Sequence, residues 1–305
     1  MCINPSDTGK TATSSRFSIS DRSSISSPIA DHSPIPNGIS VPGWNVAAYP
    51  LLDSTNLEAK RCIVLGCHEK LLILAESQTN GQCRHDRLWD SPANAGIWAS
   101  FILPVTVPFE MLPQSTLVLA VAVQEGIAKA TRIPLAIKWP NDLLGNDKKC
   151  CGLLVETALE ITAQTPVPLV LGVGINCNQA QETFPLPLQK IATSLSMLAS
   201  GRVFSRELIL CAIAGSIDLW FGIWQTHGFS PVREAWLAHN GTLGKTVVLP
   251  EGYGQPHGKA YDLDDSGSLL VLADNNEHIR IESGEILFSN RTDSNALAEQ
   301  QPSRL

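Results

Sequence analysis

The amino-acid sequence predicts an α+β fold, in which a mixed β-sheet with flanking helices over residues 44–241 precedes a small all-β barrel over residues 242–289. Two observations support this prediction. Helical and buried-strand patterns fill the middle of the chain, and after Gly241 they give way to short strands separated by turns. The flanking residues 1–43 and 290–305 are polar, and we expect both to be loose tails.

Capping and stop residues predict three helices in the larger domain. One runs from Ser115 to about residue 131, one from Ser205 to about Gly228, and one from Ser230 to Asn240-Gly241. Apolar runs predict buried strands at 71–75, 135–138, 152–157 and 169–175. Each helix is therefore expected to pack against a sheet built from these strands.

The barrel is predicted from alternating apolar and polar residues. The candidate strands are residues 246–250, 257–262, 268–273, 277–281 and 285–288, and Asp265-Ser266-Gly267 forms a tight turn between two of them. Such short strands at regular spacing are typical of a small closed sheet.

Composition excludes several classes of protein. Net charge is −7 over 305 residues, so no general nucleic-acid surface is expected. Apolar runs are too short for a membrane span. The eight cysteines form no Cys-x-x-Cys pair, and we expect reduced thiols in a cytoplasmic protein rather than a metal site. Residues 1–40 are rich in Ser, Thr and Pro, but their three aspartates argue against an organelle-targeting segment.

Five segments place polar residues and glycines among apolar strands. They are Asp53-Ser54-Thr55-Asn56, residues 78–84, Lys138-Trp139-Pro140-Asn141-Asp142, Lys148-Lys149-Cys150-Cys151-Gly152, and Gly172-Val173-Gly174-Ile175-Asn176.

Each segment taken alone has an ordinary structural interpretation. The first suits a helix N-cap, the second a surface turn, and the lysines solvated charges. Gly172-Val173-Gly174 is a weak dinucleotide signal, because a third glycine and a clear following helix are missing. A Walker A motif is absent from the sequence. Only the order of the segments distinguishes a function.

In that order, the segments resemble the biotin–protein ligase family over roughly residues 44–288. The most specific part is Lys-Trp-Pro-Asn-Asp-Leu at 138–143, followed by Lys149 and by Gly-Leu-Leu-Val-Glu at 152–156. The Gly-Val-Gly-Ile-Asn segment at 172–176, the Trp-Asp-Ser-Pro segment at 89–92 and the terminal barrel also match.

The resemblance implies a fold and a reaction. The fold is the class II synthetase-like biotinyl/lipoyl ligase domain with an SH3-like barrel behind it. The reaction uses biotin, ATP and Mg²⁺ to form biotinyl-5'-AMP, and then transfers biotin to a lysine of a biotin carboxyl carrier protein of acetyl-CoA carboxylase or a related carboxylase. The resemblance also implies a cytoplasmic enzyme without a membrane partner, and leaves its oligomeric state open, a homodimer included.

The same resemblance implies roles for individual residues. Lys149, Arg84 and Asp142 would be catalytic: the lysine meets the biotin carboxylate and the α-phosphate, where a cation steadies the developing charge. Our own hypothesis, beyond the resemblance, is that Asp142 accepts the proton of the attacking carrier lysine. The residues implied for biotin are Ser54, Thr55, Asn56, Gln78, Gly81, Gln82, Cys83, Arg84, Trp98, Lys149 and Gly152. Those implied for ATP and the adenylate are Arg84, Trp89, Lys138, Asn141, Asp142, Lys149, Gly172 and Asn176.

The chain departs from the family in two places. The family's Gly-Arg-Gly-Arg loop reads Gly81-Gln82-Cys83-Arg84 here, so one arginine and one glycine are replaced. Residues 1–43 are also too few and too polar to form the winged helix-turn-helix of bifunctional members, so we expect a monofunctional ligase that binds no nucleic acid. The alternative functions are a lipoate–protein ligase-like enzyme and a non-catalytic protein that binds biotin or a nucleotide.

Overall fold

The structure is a computed structural model that describes residues 2–3, 39–158, 166–250, 252–253 and 256–289. Its strands are β1 (Cys2–Ile3), β2 (Asn45–Leu52), β3 (Leu71–Gln78), β4 (Gly81–Gln82), β5 (Leu88–Trp89), β6 (Ile97–Val105), β7 (Ala136–Lys138), β8 (Asp142–Gly145), β9 (Lys148–Thr157), β10 (Val167–Ile175), β11 (Thr246–Val248), β12 (His257–Leu263), β13 (Leu269–Ala273), β14 (His278–Ile281) and β15 (Leu287–Phe288). Its α-helices are α1 (Thr55–Val64), α2 (Ser115–Thr131), α3 (Leu195–Leu198), α4 (Arg206–His227) and α5 (Ser230–Ala238).

A seven-stranded sheet in the order β2-β3-β6-β10-β9-β8-β7 forms the centre of the larger domain. Only β2 and β3 run parallel within it, and the remaining neighbours are antiparallel. Strands β6 and β10 lie in the middle and are almost entirely buried, because helices cover both faces. Both central strands therefore consist of nearly continuous apolar residues.

Helices α2 and α4 pack against each other and form the main helical layer on this sheet. By length and composition alone, Phe109–Thr131 and Arg206–His227 could each cross a membrane. The core helices of a globular domain pass the same test, and here residues of both helices belong to the main hydrophobic core. Trp224 is fully buried in that core, and its indole N–H donates to Gln114 Oε1 at 2.8 Å.

Strands β11 to β15 form a separate antiparallel sheet in the order β14-β13-β12-β11-β15. Polar contacts join it to the larger domain. The Trp139 indole donates to the Gly267 carbonyl at 3.1 Å, and Arg233 forms an ion pair with Asp262 at 2.8 Å. The C-terminal sheet therefore packs on the same domain surface that carries Trp139.

The α+β fold with a small C-terminal β domain is confirmed, and most of its elements agree with the sequence prediction. Ser205 caps α4, since its Oγ accepts from the Leu208 N–H, and Gly228 ends the helix. Ser115 and Ser230 were predicted as caps, but each is the first residue of its helix, and the cap positions of α2 and α5 are Gln114 and Phe229. Pro231 still falls in the first turn, where a missing N–H costs no helical hydrogen bond.

A third, small sheet involves the start of the chain. Cys2 and Ile3 pair antiparallel with β5, which in turn pairs with β4. Val41 is buried in the core as well. The expectation that nothing in residues 1–43 packs is therefore wrong for these residues, while residues 4–38 and 290–305 lie outside the described parts of the chain.

Candidate active site

A pocket lies above the central sheet, between the start of α1 and residues 79–92, which we call the cover segment. Strands β6, β9 and β10 form its floor. The lining residues are Ser54, Thr55, Asn56, Gln78, Gln82, Cys83, Arg84, Trp89, Trp98, Ala99, Asn141, Lys149, Gly152, Leu153, Leu154, Gly172, Val173 and Gly174. Most residues that the sequence singled out thus meet in one place, although they come from segments far apart in the chain.

The first turn of α1 forms one polar end of the pocket. Ser54 is the N-cap of the helix, because its Oγ accepts from the Leu57 N–H at 3.5 Å, so the capping interpretation is confirmed. Ser54 also lines the pocket, and it is 1% exposed. Capping leaves part of the hydroxyl's hydrogen-bonding capacity available, since an oxygen with two lone pairs and one proton serves more than one partner.

Gln78 connects this helix to the cover segment. Its Oε1 accepts from the Thr55 N–H at 2.8 Å and from the Thr55 hydroxyl at 3.2 Å. Its Nε2 donates to Ser91 Oγ at 2.8 Å, and that hydroxyl donates to the Trp89 carbonyl at 3.0 Å. The pocket therefore presents donors and acceptors that are held in fixed directions by mutual hydrogen bonds.

Two tryptophans and two glycines form the apolar part of the pocket. The rings of Trp89 and Trp98 meet edge to face, with centroids 6.3 Å apart. Trp89 lies on the backbone of β9 and β10, where a Cβ on Gly152 would come within 2.5 Å of the ring and one on Gly174 within 2.7 Å. The glycines are thus required by the close approach of an aromatic ring rather than by a turn.

A buried ion pair occupies the other end. Lys149 Nζ lies 2.6 Å from Asp142 Oδ1, and each side chain is only 14% exposed. The β8–β9 hairpin brings the two residues together. The ammonium also lies 5.4 Å from the centroid of the Trp89 ring, a geometry that favours a cation. A positive charge is therefore held at the pocket wall by a partner that an anionic ligand could replace.

Arg84 extends from the cover segment toward the same end. Its Nη1 donates to Asn141 Oδ1 at 3.3 Å, while Asn141 Nδ2 donates to the Leu153 carbonyl at 2.7 Å. Burial lowers the pKa of Arg84 from its ordinary value, although the guanidinium stays charged at any physiological pH. The neighbouring Arg87 forms an ion pair with Glu285 of the C-terminal domain at 2.7 Å, so the cover segment is tied to that domain.

Four predicted residues do not line the pocket. Asp142 pairs with Lys149, and Gly81 lies in the cover segment next to Gln78 and Ser91. Burial lowers the pKa of Lys138, and its Nζ lies 5.2 Å from the Phe288 ring centroid at the domain boundary.

Asn176 is the fourth of these residues, and its side chain already has partners. Its Nδ2 donates to the Thr193 carbonyl at 3.0 Å, and its Oδ1 accepts from Gln179 at 3.3 Å. These contacts hold together the loop after β10, so a contact of the Asn176 amide with an adenylate would require this arrangement to change.

Sequence reasoning assigned no role to several residues that build the pocket. Ala99, Leu153, Leu154, Val173 and Gly174 line it, and Ser91 and Ser100 support it. The apolar residues give no local signal, because they look like any buried strand. Gly174 had a signal in the Gly-x-Gly pair, and Ser100 had one as a lone hydroxyl within the apolar strand β6.

A larger cleft adjoins the pocket. It has a volume of about 510 Å³ and lies between the two domains, with Thr116, Pro140, Ser266 and Arg280 among its lining residues. Arg84, Asn141, Leu153 and Leu154 line both the cleft and the pocket. The two spaces therefore meet at the charged end.

The cysteines depart in one respect from the expectation of reduced thiols. Six described cysteines are free, whereas Cys83 is disulfide-bonded. Burial raises the pKa of the Cys62 thiol to about 11 and that of Cys177 to about 12, which keeps both protonated and unreactive at neutral pH.

Within the described residues, no three His, Cys, Asp or Glu side chains are grouped as metal ligands. The charges that line the pocket are those of Lys149 and Arg84, which suit a ligand that brings negative charge.

Comparison with known proteins identifies the family. The model of the biotin/lipoate A/B protein ligase family matches residues 49–176, and the model of the biotin protein ligase C-terminal domain matches residues 242–289. The bifunctional ligase/repressor BirA of Bacillus subtilis is 36% identical over 240 residues, which cover 79% of this chain and 72% of that protein. The biotin–[acetyl-CoA-carboxylase] ligase of Paracoccus denitrificans is 30% identical over 240 residues, which cover 77% of this chain and 97% of that protein.

Among solved structures, the biotin protein ligase from Aquifex aeolicus in complex with biotin and ATP superposes with a TM-score of 0.67 at 28% identity, and the match covers 80% of this chain and 98% of that one. This likeness includes both domains, because the match extends over nearly the whole of the other chain. Sequence relatives, family models and fold agree. The chain belongs to the biotin–protein ligase family.

Proposed function

We propose that the pocket binds biotin with its ureido head at Ser54, Thr55 and Gln78 and its carboxylate toward Lys149. A ureido group needs donors for its carbonyl and acceptors for its N–H groups, and this polar end offers both. The fused rings of biotin suit the wall formed by Trp89 and Trp98. With the ureido head at the polar end, the carboxylate of biotin would point toward Lys149 and Arg84 at the other end of the pocket.

The activity itself follows from the family. The chain is an ATP-dependent biotin–protein ligase, which forms biotinyl-5'-AMP from biotin and ATP and then transfers biotin to a lysine of the carboxyl carrier protein of acetyl-CoA carboxylase. In the first step the biotin carboxylate oxygen attacks the α-phosphorus, and the bond from that phosphorus to the bridging oxygen breaks to release pyrophosphate. In the second, the carrier amine attacks the acyl carbon and AMP leaves.

The observation on which our assignment of the first step depends is the buried pair of Lys149 and Asp142. Biotin carboxylate and the α-phosphate are both anionic, so their approach requires a cation between them. Lys149 supplies that cation when the ligands replace Asp142 as its partner. Because the charge is already in place and poorly solvated, little reorganisation is needed when negative charge develops in the transition state.

The adenylate phosphate would then lie between Lys149 and Arg84. Arg84 holds it by a charged hydrogen bond, and Asn141 keeps the guanidinium in position. Trp89 and Lys138 would bind the nucleotide part, and Gly172 provides space in the floor. Mg²⁺ would be held mainly by the phosphates of ATP. The described residues of the pocket offer it no group of carboxylates, and Mg²⁺ is commonly bound in this way.

The larger cleft would admit the carrier lysine. It opens between the domains and meets the pocket at Arg84 and Asn141, next to the position proposed for the acyl carbon. A protein substrate needs such an open approach, whereas biotin does not. Asp142 would accept the proton of the attacking amine once Lys149 has turned to the phosphate, since it then lies nearby as a carboxylate without its cation.

The proposal also includes the domain bounds, the cellular location and the assembly of the enzyme. We place the catalytic domain at residues 44–241 and the C-terminal SH3-like barrel at 242–289. The enzyme would act in the cytoplasm as a ligase only, without binding nucleic acid, and a homodimer is compatible with this function.

Two assays on the full chain test the proposal. Pyrophosphate release with Mg-ATP should require biotin and should not occur with lipoate, which tests the substrate. Labelling of a purified carrier domain should follow only when all components are present, and it separates an enzyme from a protein that binds biotin without turnover. Absence of biotin-dependent pyrophosphate release would overturn the assignment.

A further inference from the structure

We propose that Glu156, which does not touch the pocket, is a positioning residue that fixes the direction of the hydrogen bonds offered to biotin. It acts through Asn56 and Ser100 on Thr55. This inference rests on the proposed binding of the ureido head at Thr55 and Gln78.

The relay starts at an ion pair beside the pocket. Glu156, near the end of β9, accepts from Lys60 of α1, with Lys60 Nζ 2.6 Å from Oε1. The other carboxylate oxygen accepts from Asn56 Nδ2 at 2.8 Å. An ionised carboxylate has no proton to donate, so the Asn56 amide must turn its nitrogen toward Glu156. Its oxygen is therefore turned away from Glu156.

The Asn56 oxygen faces the centre of the relay. Ser100 Oγ lies 2.5 Å from Asn56 Oδ1 and 2.8 Å from Thr55 Oγ1. A serine has a single proton, and the amide oxygen can only accept it. When Ser100 donates to Asn56, its own oxygen is left to accept from Thr55. The orientation of one amide therefore decides which groups of Thr55 remain for a ligand.

Burial makes this order persistent. Ser100 is fully buried, and Thr55 and Asn56 are each 4% exposed. Water therefore cannot readily replace these three residues or accept a misdirected proton from them. Asn56 is also held from the side, because a Cβ on Gly172 would come within 2.3 Å of its Oδ1. The Asn56 amide is therefore packed directly against the backbone of β10 at Gly172.

The direction of the relay affects binding because the Thr55 hydroxyl has one proton and two acceptors within reach, Ser100 Oγ at 2.8 Å and Gln78 Oε1 at 3.2 Å. With the present direction, the Thr55 hydroxyl proton goes to Ser100, the Thr55 N–H donates to Gln78 Oε1, and the Thr55 hydroxyl oxygen is left to accept from a ureido N–H. Reversing the relay would make Ser100 donate to Thr55 and turn the Thr55 proton toward Gln78 Oε1 and the pocket, so a donor would face a ureido N–H. Such a mismatch weakens biotin binding without altering the charged end of the pocket.

Glu156→Gln tests this directly, because the variant keeps the shape of the side chain. The glutamine amide has one oxygen, and Lys60 is a cation that takes it. The remaining NH₂ group then faces Asn56, whose amide must turn over to accept and thereby loses its second hydrogen bond, from Nδ2 to the Leu154 carbonyl at 3.4 Å. We expect the KM for biotin to rise about tenfold, as one misdirected buried hydrogen bond implies, with the KM for ATP and kcat changed less than threefold.

A compensating change separates direction from mere stability. An aspartate at position 56 accepts on both oxygens, so Asn56→Asp combined with Glu156→Gln lets that carboxylate accept from the new amide at position 156 and from Ser100 together. The double variant should recover a biotin KM within threefold of wild type, whereas Asn56→Asp alone places two carboxylates side by side and should be the weakest binder. Asp218→Asn is the matched control, because it removes the comparable ion pair with Lys70, at 2.7 Å, away from the pocket.

The biotin KM of each variant is compared with that of the wild-type enzyme. If wild type releases pyrophosphate with biotin and Glu156→Gln keeps the wild-type biotin KM, the positioning role is wrong while the ligase assignment stands. If Glu156→Gln raises the biotin KM but the double variant recovers nothing, the effect comes from lost charge or packing, and the relay is also wrong. Melting temperatures of all variants, taken without ligand, show whether each one is folded.

Discussion

The indole ring of Trp89 lies directly on the Cα of Gly152, where a Cβ atom would come within 2.5 Å of ring atom Cζ3. Trp89 belongs to the cover segment and Gly152 to the floor, so this contact sets the height of the pocket. Lys149 lies beside both, with its Cε 3.1 Å from the same hypothetical Cβ. Because residue 152 is a glycine, both the Trp89 ring and the Lys149 side chain can pack against its Cα.

Gly152→Ala should therefore weaken biotin binding and slow adenylate formation. The added methyl group must push the ring or the lysine away, and overpacking of this kind costs about 1–3 kcal/mol. Gly222→Ala is a suitable control, because that glycine lies in α4 with no atom near its hypothetical Cβ, and alanine there should raise the melting temperature. Wild-type biotin affinity in Gly152→Ala, measured by calorimetry, would contradict the close contact.

Lys149→Ala should abolish adenylate formation while the chain stays folded. Loss of one preorganised charge in a poorly hydrated site costs about 3 kcal/mol or more, a rate reduction of a hundredfold or greater. Lys148→Ala removes the adjacent lysine of the same strand, which does not line the pocket, and should keep its rate. The measurement is pyrophosphate release with saturating biotin, and a Lys149→Ala rate within tenfold of wild type would exclude the role assigned to this lysine.

Arg84→Ala should release biotinyl-adenylate before the carrier arrives. Arg84 is the arginine of the cover segment that lines the pocket, and without it the phosphate loses a charged hydrogen bond. Escaped adenylate labels exposed lysines, so biotin should appear on a bystander protein in a blot. Arg202→Ala, which affects an arginine stacked on Phe204 outside the pocket, serves as the control and should label the carrier alone.

Gln82→Arg should have the opposite effect. Gln82 lines the pocket next to Cys83 and Arg84, and an arginine there adds a fork-shaped donor for the adenylate phosphate. We expect slower adenylate dissociation and a lower KM for biotin. Since Cys83 is disulfide-bonded, the change is made at position 82 alone. An unchanged dissociation rate would mean that the side chain at position 82 does not reach the phosphate.

Asp90→Asn should raise the melting temperature at neutral pH but not in acid. Burial raises the pKa of Asp90, so ionisation is harder in the folded chain than in the unfolded one. This destabilisation is absent below the unfolded pKa of about 3.9, develops as the pH rises past it, and is complete above the folded pKa. The gain from asparagine should therefore be larger at pH 7.5 than at pH 4.5.

Asp264→Asn should lower the melting temperature at neutral pH and have a smaller effect in acid. It is therefore the control for the direction of the pH dependence predicted for Asp90→Asn. Burial opposes ionisation of Asp264, but hydrogen bonds from Arg280 and Ser266 outweigh it and lower the pKa below its ordinary value. Its ionised form therefore stabilises the fold above the unfolded pKa, and that stability is lost as the pH falls. Equal effects of the two substitutions at both pH values would show that burial does not govern Asp90.

Local sequence signals predicted the elements whose ends are chemically marked. Helix α4 begins after the capping hydroxyl of Ser205 and ends at Gly228, and both were visible in the sequence. Strands β2 and β6 were missed for different reasons. The edge strand β2 shows no clean alternation, and β6 is buried on both faces, so it lacks a periodic pattern that separates strand from helix.

The site was predictable where a motif fixes chemistry and unpredictable where contacts come from distant parts of the chain. Lys149 and Asp142 meet because a hairpin joins them, and the motif contains both. Glu156 and Asn56 are 100 positions apart in the sequence, and no local sequence pattern around either residue indicates their hydrogen bond. Asn176 follows the glycines of its motif, but its amide is used within the loop after β10, which a pattern along one strand could not indicate.

The pairing of Cys2 and Ile3 with β5 affects how the enzyme should be prepared. Because Cys2 pairs with Trp89 itself, this short strand lies against the segment that carries the aromatic wall. An affinity tag fused ahead of Cys2 would compete with this pairing and disturb the strand that carries Trp89. Kinetic constants of an enzyme tagged at its N-terminus would then include the effect of this disturbance. A tag placed after the C-terminal barrel leaves the pairing of Cys2 with Trp89 intact.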